Sequence, residues 1–474
     1  MKNSPMVSIT GIGLVCGYGV GQEAFWAGLC SGQSALRPIT RFVADGAICN
    51  LAGEVPAGIS AKDHVPKHYR KGVKVMARDT ELAVVAAAEA TRDSKLVTRM
   101  HTSENESAVL TYPANRTGCH IGAGLLPAEV PEIASAFATA RETVPGREDR
   151  LSLKAWGTID ADGAIAASGG SVGGMNNLQP LWMLKYLPNM LACHVTILHG
   201  LEGPSNTLTC SEASGMLCVG ESSRVIQRGA ADLCFSGGAE SKVNLVGTVR
   251  SQLLGRLARH AGEGSTVLRP YAIGAAELMG TVPGEGGGIL ILERDDLAAA
   301  RGAVRYARVS GFGAAHNLPV AVPMLEESHP PLTGVKQKRR NGLTLAINAA
   351  IKDAGLTAGD IDAIVPQALC VPKHDAAELE ALKEVFGSRL SSIELVTLSP
   401  MLGDCAAGSG ALQVAAGALC LHHQKLPARV HGGGEDPAVR AGPAPARDAA
   451  LRHVLVCTGS LAGQNAAVVL SRAG

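Results

Sequence analysis

Residues 203–240 read GPSNTLTCSEASGMLCVGESSRVIQRGAADLCFSGGAE, and this stretch decides the fold. A Gly-Pro turn opens it, and 206–210 is a short β-prone run. Residues 211–215 (SEASG) form an elbow of small residues. Apolar positions at Leu217, Val219, Val225 and Ile226 then predict an amphipathic helix that Gly229 stops. A buried strand over 233–236 runs into Gly237 and Gly238. Strand, sharp turn and helix N-terminus together form the geometry that presents a nucleophile. The turn pushes one side chain outward, and the free N–H groups of the helix stabilise negative charge beside it. In this chain the outward position carries a carboxylate, Glu212.

Before the elbow, residues 7–13 (VSITGIG) predict a strand into a Gly turn and 23–30 a short helix. Residues 80–91 (TELAVVAAAEAT) predict an Ala-rich helix, and 119–124 (CHIGAG) a second strand. Residues 140–180, with GGSVGG at 169–174, read as a long polar loop of the kind that serves function or an interface. An apolar helix is expected over 182–198, around Pro188 and Asn189. Past the elbow lie a basic, weakly patterned segment (250–270) and a strand at 286–293 (GGGILILE). The pattern then starts again. Residues 306–313 (YARVSGFG) echo 7–13, 344–355 echo the Ala-rich helix, and 361–365 echo the second strand. Residues 409–421 stand where the elbow helix stood, and 454–458 and 466–470 mirror the strands at 233–236 and 286–293. The repeat predicts an α/β protein of two similar halves, 1–298 and 303–474, with a site at their junction. Residues 426–450 read as a surface loop.

Composition narrows the function classes. The chain has 474 residues and a formal net charge of +1, so nothing in its charge favours nucleic acid or an anionic membrane. Its 57 glycines accompany 46% hydrophobic residues, which points to tight turns and close backbone packing rather than disorder. The twelve cysteines form no CxxC pair and mostly sit in apolar runs, which predicts a reduced, cytoplasmic chain without a zinc site. No apolar run approaches the ~20 residues of a membrane span, and no signal peptide is expected.

In their order, these segments resemble the β-ketoacyl-acyl-carrier-protein synthases, thiolase-fold condensing enzymes of fatty-acid and polyketide assembly. The resemblance covers nearly the whole chain. It rests on 7–13, on PLWMLKYLPNM at 180–190, and on the elbow through residue 240. It continues through VPGEGGGILILER at 282–294, DAAELEALKEVFG at 375–387, MLGDCAAGSGAL at 401–412 and GSLAGQNAAVVL at 459–470. It implies a thiolase-like αβαβα fold of five layers, a dimer, an acyl carrier protein as partner and no cofactor.

The family's catalytic set does not carry over. In that family a Cys at the elbow attacks the acyl thioester, two His stabilise the oxyanion and the enolate, and a Lys supports them. Seven residues separate Pro204 from the nucleophile position, and eight positions back from Gly220 gives the same place, so the Cys becomes Glu212. The first His, ahead of Asp375 and Glu378, becomes Gln367 in PQALC. The second becomes Asp404 in MLGDCAAGSG, and the Lys five residues before it becomes Ser399. In the C-terminal segment Leu461 stands for the gating Phe and Gln464 for a Thr, both substrate-binding positions by resemblance.

Chemistry limits what such a set can do. A carboxylate is a far weaker nucleophile toward a thioester than a thiolate, and an ionised Asp404 offers no proton to a developing enolate. The resemblance therefore implies a non-condensing subunit, similar to a chain-length factor, paired with a Cys-bearing ketosynthase, or else a homodimer. Glu212 is then a structural plug whose anion accepts the elbow N–H groups. Two alternatives stay open. Glu212 and Asp404 could act as an acid–base pair on another acyl thioester, in hydrolysis, cyclisation or dehydration. Cys210 could be a displaced nucleophile. His194, His199, His316 and His374 read as surface or satisfied core residues, with His374 closest in sequence to the Gln367 loop.

Overall fold

The computed structural model describes residues 4–474 except 104, 106, 126–127, 141–144, 148–149, 153–180, 260–267, 273–279, 318–340 and 431–433. In chain order the first half contains β1 (Val7–Cys16), α1 (Arg78–Asp93), β2 (Thr117–Ala123), α2 (Met190–His199), β3 (Ser205–Leu208), α3 (Ser214–Gln227), β4 (Leu233–Ser241) and β5 (Glu285–Arg294). The second contains β6 (Ala307–His316), α4 (Gly342–Asp353), β7 (Ala363–Val365), α5 (Pro372–Phe386), β8 (Glu394–Leu395), α6 (Ser409–His423), β9 (His453–Gly459) and β10 (Gln464–Ser471).

The echo between GIG and GFG has a packing cause. A Cβ on Gly13 would stand 1.9 Å from the Ala86 carbonyl oxygen of α1, and one on Gly313 would stand 2.1 Å from that of Ala346 in α4. Glycine on the strand and alanine on the helix let the two backbones touch, which side chains would prevent. Each half therefore starts with a glycine strand under an alanine helix.

The strands form one path, β8-β7-β9-β10-β6-β1-β5-β4-β2-β3. From the short β6–β1 contact at Ser8 and Ile9, both halves read alike outward: two antiparallel pairings, then two parallel ones. The parallel pairings need crossover helices, and α3 and α6 supply the inner ones. These two helices lie between the half-sheets and cross where Gly215 meets Ala411 and Gly410 meets Met216. With α1 and α2 outside the first half-sheet and α4 and α5 outside the second, the order is αβαβα, the expected thiolase-like fold.

Three expectations are corrected in detail. The helix expected over 182–198 starts only at Met190, because Pro188 has no N–H to extend it backward and 184–186 forms a 3₁₀ turn instead. The 426–450 stretch is more than a surface loop: Val439 and Ala441 are buried in the second half's core, and Arg429, Arg440 and Arg447 converge on Glu394. The basic segment holds the end of a helix, Leu245–Leu253, and then a buried arginine, Arg256. The GGSVGG motif lies outside the described residues. Among those described, no helix is long and apolar enough to cross a membrane.

Candidate functional site

The elbow forms where the small residues place it. β3 ends at Leu208, Ser211 takes the left-handed conformation (φ 52°), and Glu212 sits in the 3₁₀ turn that leads into α3. The Ser214 hydroxyl closes the turn by accepting the Cys210 N–H at 2.8 Å and donating to the Ser211 carbonyl at 2.7 Å. A non-glycine residue at positive φ costs about 1 kcal/mol or more, a strain found at functional turns. The second half repeats the turn at Ala406 (φ 45°), just before α6.

Glu212 is 1% exposed, and its carboxylate faces partners other than the α3 N–H groups. Arg256 Nη2 donates to its Oε1 at 2.5 Å, and the Leu461 N–H donates to its Oε2 at 3.2 Å. The backbone N–H of Glu212 itself also contributes. Burial opposes the charge, but Arg256, that N–H and the nearby His374 outweigh it and hold the carboxyl at about 2. The buried carboxylate is thus held by an ion pair with Arg256 in addition to backbone N–H groups.

Asp404 is buried within electrostatic reach of Glu212, Arg256 and Lys242. Its backbone is tied to Val282 and Gly284, and its Oδ1 accepts the Ala406 N–H at 2.8 Å. Burial and the Glu212 charge push its carboxyl up to about 6, against Arg256 and Lys242. Lys242 pairs with Glu240, and Glu240, Asp404 and Glu212 together outweigh the burial that would discharge it.

Gln367 and Ser399 meet each other: the Ser399 hydroxyl donates to the Gln367 carbonyl at 3.1 Å. The Gln367 side-chain oxygen accepts the Gly459 N–H at 3.0 Å, which uses the amide to brace the β9–β10 hairpin. Its Nε2 and the Gln413 Oε1 have no protein partner and line one cavity of about 20 Å³ with Ser399, enough for a single water. Glu378 accepts the N–H groups of Gln367 and Ala368, and Asp375 accepts that of Cys370, so both acids shape this loop. Gln464 accepts the Ser460 hydroxyl at 2.6 Å within the hairpin that carries Leu461. The hairpin thereby links the Glu212 and Gln367 positions.

Among the histidines, His194 bonds the Tyr69 hydroxyl and His199 that of Thr98, while His316 bonds the Ala462 carbonyl. His374 has its Nδ1 buried without a partner, as His194 and His199 have their Nε2, and it lines a 30 Å³ cavity with Ser460 and Leu461. Burial, then Arg256, pushes its imidazole down to about 4, so it is neutral. Cys210 is half-buried, and burial raises its thiol above the ordinary value, which disfavours the thiolate.

Residues 4–298 match the model of the β-ketoacyl synthase N-terminal domain, and 328–432 match that of the C-terminal domain. The chain belongs to the β-ketoacyl synthase family. It is 26% identical over 477 residues to 3-oxoacyl-[acyl-carrier-protein] synthase 2 of Staphylococcus aureus (strain COL), covering 100% of this chain and 99% of that one. Among solved structures it is similar to the ishigamide ketosynthase/chain length factor, with a TM-score of 0.75, 24% identity and 100% of both chains covered. It is equally similar in TM-score, 0.75, to a type II polyketide synthase acyl-carrier protein in complex with its ketosynthase bound to the hexaketide. There the identity is 19%, over 99% of this chain and 100% of that one. These structural likenesses establish the shared β-ketoacyl synthase fold.

Arg256, Lys242 and Glu240 are the members of this buried charge cluster that sequence reasoning missed. The only available signal was chemical: a carboxylate buried at an elbow requires a cation, but nothing in the sequence says which one. The cluster also has a pH consequence. Asp404 goes from 3.8 unfolded to about 6 folded, so its favourable contribution is present below 3.8 and is lost as pH rises through about 6. At neutral pH its charge is a cost. Asp404→Asn, which keeps the oxygen that accepts the Ala406 N–H, is expected to gain about 1–3 kcal/mol at neutral pH and nothing below about pH 4. Urea unfolding at both pH values checks it; equal effects at the two would remove the charge-repulsion account.

Proposed function

We propose that this β-ketoacyl synthase homologue is a non-condensing, chain-length-factor-like subunit. It pairs in the cytoplasm with a Cys-bearing ketosynthase and shapes the tunnel for an acyl chain delivered by acyl carrier protein. One observation carries this reading: the elbow position holds a buried carboxylate locked by Arg256, where an acylating enzyme needs a free nucleophile. Pairing is supported by β3, the last strand of its side among the described residues, and by the exposed Leu184, Leu187 and Ile197 near it in sequence. A permanent pair of this kind buries on the order of 2,000 Å² or more.

Co-expression with a paralogue that retains Cys, His and His, followed by size-exclusion chromatography and product analysis, tests the proposal. The expected result is a stable heterodimer whose product length shifts when tunnel-lining residues of this chain are enlarged. A stable monomer, or a homodimer indifferent to the paralogue, would sink it. Intact-mass analysis of the isolated chain with acyl thioesters is expected to find no adduct; one mapped to Cys210 would revive the displaced nucleophile.

A second reading is favoured by the opposed titrations of Glu212 and Asp404, since carboxylates whose environments separate them this way can divide base and acid roles. It calls for hydrolysis, cyclisation or dehydration of an acyl thioester. A thioester-directed activity lost in Glu212→Gln, with the fold intact, would place this reading ahead.

A further inference from the structure

Around the Glu212 carboxylate, the nearest partners are donors. Arg256 Nη2 lies 2.5 Å from Oε1, the Leu461 N–H 3.2 Å from Oε2, and the elbow N–H of Glu212 adds a third. Asp404, the other carboxylate in electrostatic reach, is engaged at Oδ1 by the Ala406 N–H. Convergent backbone N–H groups beside a guanidinium, sealed from water, are the elements of an anion site. The fold holds the backbone donors in place whether or not an anion is present. The buried Arg256 guanidinium is costly to leave without a counter-charge, so the emptied pocket would favour an anion.

We propose that the elbow is a carboxylate-binding pocket occupied in the native chain by its own side chain, so that Glu212 is a tethered ligand excluding external carboxylates. This deepens the reading of the elbow as a silent site by naming what fills it and what class of ligand it would otherwise take. The tether matters energetically. A ligand supplied by the chain itself is present at a high effective concentration and cannot diffuse away. A free carboxylate, including one on an acyl substrate, therefore competes only if Glu212 is removed. Arg256 supplies the charge selectivity, and the two N–H groups orient the carboxylate plane.

Geometry offers a direct probe, since Glu212→Ala deletes one CH₂ and one carboxylate, the heavy atoms of acetate. The full-length Glu212→Ala protein is to be melted in sodium acetate and in sodium chloride of equal ionic strength. Acetate is expected to raise its Tm by a few degrees, in a manner that saturates with concentration as one-site binding requires. The unmodified protein and the double variant Glu212→Ala/Arg256→Met are expected to respond to acetate no more than to chloride. Should Glu212→Ala fail to accumulate as folded protein, Glu212→Ser, which keeps a polar group in the turn, carries the same comparison. An equal response to both salts, or an acetate response that survives loss of Arg256, overturns the inference. Either outcome would leave the chain-length-factor reading untouched, whereas condensation by the isolated native chain would sink that reading and leave the pocket standing.

Discussion

Arg256→Met is expected to destabilise the protein by about 3–5 kcal/mol, the cost of leaving a buried carboxylate without its counter-charge. Methionine fills much of the guanidinium's volume, so packing loss contributes little and the effect reports the charge. Glu212 would then have to take up a proton to remain buried, and its carboxyl would rise far above the value near 2 that Arg256 now maintains. The double variant Glu212→Gln/Arg256→Met is expected to recover most of the loss. It removes both charges together, and the Gln oxygen can still accept the Leu461 N–H. Denaturant unfolding of the two single variants and the double gives the coupling directly. A surface helix cap would lose only about 0.3–1 kcal/mol, so the sizes separate the two pictures. A single variant within about 1 kcal/mol of the parent would show that the ion pair does not hold the elbow in solution.

Glu212→Cys is expected to leave condensation undetectable, although the thiol would stand beside Arg256 and ionise readily. The missing elements lie elsewhere. Gln367 keeps an unpartnered Nε2, but it lines a cavity with Ser399 and Gln413 that Glu212 does not line. Asp404 is an acceptor once ionised, so neither presents a proton-bearing group at the elbow for a developing enolate. The triple variant Glu212→Cys/Gln367→His/Asp404→His is expected to exceed Glu212→Cys by at least about 100-fold in malonyl-dependent condensation, since removing a single such donor already costs that much. Acyl loading by intact mass, followed by product formation, separates attack from carbon–carbon bond formation. Condensation by the single variant would mean that this pocket has enolate donors other than those at 367 and 404.

Much of this protein was legible in its sequence because the signals are local. The glycine strands at 11–13 and 311–313 and their alanine helices announce a contact that only small residues permit, and they announce it twice. The elbow reads from its serines: Ser214 closes the turn with its own hydroxyl, and the distances from Pro204 and Gly220 set Glu212 in place. None of this depends on which distant segment lies nearby.

What Glu212 does at its position was decided only by the tertiary structure. Its partner Arg256 sits 44 residues away in a stretch without periodicity, and its other donor, the Leu461 N–H, comes from the opposite half of the chain. Neither could be chosen from spacing, because a salt bridge between remote segments leaves no repeat in the sequence. The same holds for Gln367, whose amide braces the β9–β10 hairpin, and for Asp404, lifted to about 6 by its burial and by the Glu212 charge. Residue type and turn chemistry act over a few positions, and so they specified the halves and the elbow. Charge pairing and desolvation act through space, and only the packing of the two half-sheets on α3 and α6 determined which charges share a buried site.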